Sequence, residues 1–132
     1  MRSERQCIQI LYGGYHHTEG VKLMSMSELI QRLEVAGVPM DELTKIAMED
    51  VNPGFFTDFD LEPFWNDRPV PFLFTGFGAT RTISAPHMIA TLLHHLEVIE
   101  GQDIMLIGSK GGYLAAVIDR MVGNEGTVAI VE

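Results

Sequence analysis

A five-residue turn, Gly108-Ser-Lys-Gly-Gly112, and an acid twenty residues beyond it, Glu132, carry the chemistry that this sequence shows first. Glycines between a strand and a helix let backbone N–H groups approach a bound molecule closely, and a helix N-terminus favours negative charge. An acid about 20 residues further on has the type and spacing that grip the hydroxyls of a ribose. The pair points to a nucleotide-type cofactor. Glycines alone would say less, since many strand–helix turns hold them for packing.

The elements around the turn support that reading. Residues 103–107, Asp-Ile-Met-Leu-Ile, form a short apolar run that predicts a strand buried on both faces. Residues 111–122 predict a helix with Leu114, Val117, Ile118 and Met121 inward, and 127–131 predict a second buried strand after the Gly123-Asn-Glu-Gly126 turn. This is the first βαβ unit of a Rossmann-like fold, expected to be truncated at Glu132. Two parallel strands need neighbours, so the unit is expected to pair with another copy as a homo-oligomer or to lack its C-terminal half.

Upstream, Ser25-Met-Ser-Glu28 has the form of a capping box and opens a helix to about Ala36, with Met26, Leu29, Ile30 and Leu33 inward. Gly37 closes it. Pro39 and Asp41 start a second helix to about Asp50, with Leu43, Ile46 and Ala47 inward. Residues 55–80 are aromatic and turn-rich, and Pro63, Pro69 and Pro71 predict an irregular lid held by aromatic burial. Ser84 is expected to cap a helix running to about Val98, with Met88, Leu92, Leu93 and Leu96 buried. Residues 1–24 read as an N-terminal extension in which Ile8, Ile10 and Tyr12 could form a short strand. The fold class is therefore α/β. An N-terminal helical and irregular aromatic-rich subdomain, 25–80, precedes the first half of a Rossmann-like domain, 81–132.

Composition excludes several classes. A net charge of −9 with scattered Lys and Arg argues against a nucleic-acid surface. A single cysteine, Cys7, allows no internal disulfide and fits a reducing cytoplasm. No apolar run approaches a membrane span, and no signal-peptide core follows the N-terminal charges. His94 and His95 diverge on a helix, His87 and His94 lie two turns apart, and His16-His17 has no ligand cluster, so no metal site is expected. The eight methionines read as core filler.

The stretch Ala79-Thr-Arg-Thr-Ile-Ser-Ala-Pro-His-Met88, the turn at 104–113 and residues 128–132 together resemble the protein-L-isoaspartate O-methyltransferases. Asp67-Arg-Pro-Val-Pro71 resembles the segment before that signature. Residues 51–56 resemble the family's Val-Pro-Arg-x-x-Phe region, with Asn52 and Gly54 departing from it. The resemblance covers about residues 26–132. It implies methyl transfer from S-adenosylmethionine to the carboxylate of isoaspartyl residues in damaged proteins. It places Ser84, with Thr82, at the substrate carboxylate, Gly108, Ser109 and Gly112 along the methionine part of the cofactor, and Glu132 on its ribose. The family normally carries an acid where this chain has Leu106 and a glycine where it has Lys110, and both departures predict weakened cofactor binding. The alternative is a truncated or degenerate non-catalytic relative serving as an interaction or structural module. A nicotinamide-binding domain fits the acid spacing but not the Thr-Ile-Ser-Ala-Pro-His signature.

Overall fold

The computed structural model describes residues 25–132. The N-terminal extension with its expected strand, Cys7 and His16-His17 lie outside the described residues. Helix α1, Met26–Val35, begins as the capping box requires: the Ser25 hydroxyl accepts the Glu28 N–H at 3.2 Å. Leu29, Ile30 and Leu33 are buried, and the chain leaves through Gly37 in a left-handed conformation.

Helix α2, Glu42–Asp50, is turned from the expected face. It buries Thr44, Ala47 and Met48, while Leu43 is half-buried and Ile46 exposed. Its contacts set this rotation. Ser27 of α1 donates to Glu49, and Asp50 pairs with Arg120 at 2.8 Å, so the stripe at 44, 47 and 48 meets the core. Asp41 stands at the helix start but makes no capping bond, because its carboxylate pairs with His94 Nδ1 at 3.1 Å. Lys45 joins the two helices through Glu42 and Glu34, and the Glu42 carboxylate foremost holds its ammonium above the usual lysine range.

The aromatic stretch is more regular than its prolines suggest. A 3₁₀ turn, Pro53–Phe55, is followed by a short helix α3, Glu62–Trp65, and then by a hairpin of β1, Val70–Phe74, and β2, Thr80–Ile83. Pro63 lies in the first turn of α3, where no N–H is needed. Pro71 is tolerated because, among the described residues, the hairpin has two strands, both of them edges. The antiparallel register pairs Val70 with Ile83, Pro71 with Thr82, Leu73 with Arg81 and Phe74 with Thr80. Phe72 is skipped and forms a bulge.

Helix α4, Pro86–Leu96, buries Pro86, Ile89, Ala90 and Leu93, whereas Met88, Leu92 and Leu96 are exposed. Pro86 enters the core first, so the positions three, four and seven residues on inherit that side. Strand β3, Asp103–Ile107, helix α5, Tyr113–Val122, and strand β4, Thr127–Val131, form the expected βαβ unit, with Asp103 opposite Thr127 and Ile107 opposite Val131 in parallel register. The expectation of burial on both faces does not hold. Ile104, Leu106 and Val128 pack against the core, but Met105 is 66% and Ile107 87% exposed. Only two strands pair here, and their other face has no covering layer among the described residues.

Candidate active site

The glycine turn is a run of left-handed backbone. Gly108, Lys110, Gly111 and Gly112 all have positive φ, so the chain reverses sharply between β3 and α5. Lys110, at φ 45°, is the one residue of this run that has a side chain to strain. The Gly108 N–H donates to the Val131 carbonyl at 2.7 Å, and the Ser109 N–H donates to Glu132 Oε1 at 3.2 Å. The tertiary structure therefore brings Glu132 onto the turn, as the spacing suggested. Leu106 is half-buried and packs on the core, so it offers no polar group there.

Aromatic residues fix the turn from beneath. A Cβ on Gly111 would lie 3.0 Å from the Phe72 ring, and one on Gly112 would lie 3.5 Å from Phe56. Tyr113, fully buried at the start of α5, is met edge-on by Phe56 at 5.7 Å and by Phe64 at 5.6 Å. The bulge aims Phe72 at the turn, so the hairpin and the turn touch. No sequence signal marked Phe72 within so aromatic a tract.

Thr82 lies on β2 opposite Pro71, and Ser84 lies between β2 and α4, both half-buried. Ser84 is not the helix cap. Ala85 occupies that position and no side chain bonds from it. Asp67, seventeen residues before Ser84 in sequence, does the capping instead. Its carboxylate accepts the His87 N–H at 2.7 Å and meets His87 Nδ1 at 2.9 Å. A left-handed backbone at Asp67, φ 57°, presents it there. Only the likeness of segment 67–71 to the family hinted at this residue. With Asp67 on the helix N-terminus, the Ser84 hydroxyl is not engaged in capping. No hydrogen bond joins Thr82 or Ser84 to the glycine turn among the described residues. Packing of Phe72 on Gly111 makes that connection.

No group of three metal-ligating side chains occurs among the described residues. No helix there is long and apolar enough to cross a membrane.

A family model described as protein-L-isoaspartate(D-aspartate) O-methyltransferase matches residues 24–132. The chain belongs to the protein-L-isoaspartate O-methyltransferase family. The family's enzyme from Methanococcoides burtonii is 37% identical over 105 residues, covering 79% of this chain and 48% of that protein. That from Ignicoccus hospitalis is 35% identical over 106 residues, covering 80% of this chain and 48% of its own length. A solved protein-L-isoaspartate O-methyltransferase superposes with a TM-score of 0.70 at 26% identity, covering 81% of this chain and 33% of that one. A second, a Plasmodium falciparum protein described as a putative protein-L-isoaspartate O-methyltransferase and crystallised with S-adenosyl-L-homocysteine, gives 0.67 at 26% identity and covers 83% and 50%. The chain spans about half the length of the curated relatives it matches.

Proposed function

We propose that this chain supplies the substrate-carboxylate side and the first half of the cofactor side of a protein-L-isoaspartate O-methyltransferase, which methylates isoaspartyl residues of damaged proteins. The observation that carries this is the closure of Glu132 over the glycine turn through the Ser109 N–H, in a chain of this family. The residues present fit S-adenosylmethionine. Gly108, Ser109 and Gly112 would lie along its methionine part, and Glu132 would accept from its ribose hydroxyls, exchanging the Ser109 N–H for them.

S-adenosylmethionine, when bound, would supply an electrophilic methyl group for transfer to the carboxylate oxygen. A carboxylic acid with a pKa near 4 is already an anion at pH 7, so no strong base is required of the protein. Thr82 on β2 and Ser84 just before α4 hold the carboxylate by hydroxyl donation, while Asp67 keeps the His87 N–H of the helix end. Their work is alignment, which accounts for much of the barrier in such a transfer. The aromatic layer of Phe56, Phe64 and Phe72 keeps water from the underside of the turn.

The same reading takes 25–80 and 81–132 as the two parts of the catalytic fold and the cytoplasm as its compartment. It assigns the face of β3 and β4 left uncovered among the described residues to further polypeptide, either a second copy or the remainder of a longer chain. Leu106 and Lys110 weaken the cofactor side without abolishing it. Calorimetric titration of the full chain with S-adenosylmethionine, followed by methyl transfer to an isoaspartyl peptide against its aspartyl twin, tests the proposal. Saturable binding with transfer to the isoaspartyl peptide only is the expected result. A folded chain that binds no cofactor would leave the non-catalytic relative as the reading.

A further inference from the structure

The hairpin has two faces, and the register separates them. Residues directly opposite in an antiparallel pair share a face, and successive residues alternate. Val70 and Ile83 are opposite one another and fully buried, which makes theirs the core side. Pro71 with Thr82, and Phe74 with Thr80, therefore lie on the outward face; the bulge at Phe72 keeps that assignment consistent along β1. The face that presents Thr82 also presents Phe74, one two-residue step nearer the hairpin tip.

That face has a built corner. The Thr57 hydroxyl donates to the Pro71 carbonyl at 2.6 Å and accepts the Phe59 N–H at 3.1 Å. This clips the 57–59 turn to β1 and sets the Phe59 ring edge-on to Phe74, centroids 4.8 Å apart and planes at 88°. Even so, Phe74 remains 56% exposed. An aromatic pair held by side-chain hydrogen bonds yet open to solvent has apolar surface left to give.

We propose that this outward face docks the substrate polypeptide, with the Phe59–Phe74 corner taking an apolar side chain two residues before the isoaspartyl residue. The proposal rests on the reading that Thr82 and Ser84 hold the isoaspartyl carboxylate. The occupant follows from continuity: a chain whose carboxylate lies at Thr82 must run on past it, and an extended chain advances about 6.5–7 Å per two residues. Thr80, and so Phe74 opposite it, lies that same step from Thr82 along β2. Side chains two apart in a regular extended chain share one face. The extra backbone methylene of isoaspartate breaks that alternation on its C-terminal side only, so a carboxylate at Thr82 delivers the residue two before it to the aromatic corner.

Fluorescence anisotropy on the full 132-residue chain tests this with four labelled peptides. Three contain isoaspartate, with phenylalanine two residues before it, two residues after it, or serine at both places; the fourth is the aspartyl twin of the tighter phenylalanine peptide. The proposal expects the peptide with phenylalanine two residues before isoaspartate to bind about fivefold tighter than the serine peptide, as an added aromatic contact would give, and phenylalanine two residues after it to add less. It expects Phe74→Ser to erase that ratio and the aspartyl twin to bind weakly. Isoaspartyl preference with indifference to phenylalanine overturns the docking proposal and leaves the proposed function intact. No preference for the isoaspartyl peptide over its aspartyl twin overturns the reading on which it rests. A change in sedimentation from dimer to monomer on Phe74→Ser would assign the corner to a second copy and overturn the proposal.

Discussion

Phe72 packs so close to Gly111 that a methyl group there would sit 3.0 Å from its ring. One residue belongs to a hairpin bulge and the other to the turn proposed to hold the cofactor. Through this contact the part of the chain carrying Thr82 and Ser84 is registered on the part carrying Ser109 and Glu132.

Gly111→Ala meets two obstacles at once: the Phe72 ring and a backbone φ of 84°. The variant is expected to lose about 2–4 kcal/mol of stability in urea titration, from left-handed strain plus overpacking. Phe72→Ala in the same background relieves the ring contact but not the φ, so the double variant is expected to lose less than the sum of the two single losses.

Ser84 and Asp67 separate by opposite readouts. Removing Asp67 by substitution to alanine takes away the acceptor for the His87 N–H and is expected to cost about 1 kcal/mol. Ser84→Ala caps nothing and is expected to change stability by less than about 0.5 kcal/mol. Its effect falls instead on methyl transfer, about 10- to 100-fold, the value of a hydrogen bond to a charged group. Thermal melts of both variants alongside transfer rates decide the assignment.

Gly126 is required for space. It is buried, and an added Cβ would lie 2.5 Å from the Gln102 carbonyl oxygen and 2.5 Å from Val122 Cβ. One neighbour is backbone and the other a stiff branched side chain, so neither can swing aside. Gly126→Ala is expected to destabilise by about 1–3 kcal/mol, measured by chemical denaturation.

Thr44 is 1% exposed, and its hydroxyl oxygen has no hydrogen-bond partner among the described residues. The unsatisfied group costs on the order of 1 kcal/mol, and valine has nearly the same shape. Thr44→Val is expected to raise the denaturation midpoint, with the cofactor titration unaltered.

Much of the candidate site was legible in the chain. The turn, the acid at its spacing and the βαβ pattern rest on local rules: glycine where φ is positive, apolar runs where strands lie, a capping box where α1 begins. Helical faces were less legible. Met88, Leu92 and Leu96 have the spacing of a buried stripe, yet the helix buries Pro86, Ile89, Ala90 and Leu93. Two apolar stripes lie on α4, and periodicity cannot choose between them. The prolines of the aromatic stretch misled for a similar reason, since Pro63 and Pro71 occupy a first helical turn and an edge strand, where proline is harmless.

The sequence by itself determined the family, the elements of the βαβ unit and the pairing of a glycine turn with a distant acid, because each is written in short-range residue types and spacings. Only the tertiary structure decided that Asp67, and not Ser84, caps α4, that Phe72 seats the hairpin on Gly111, and that one face of the parallel pair is uncovered among the described residues. Those outcomes depend on which surfaces meet, and residues far apart in the chain compete for the same N–H group or the same buried space.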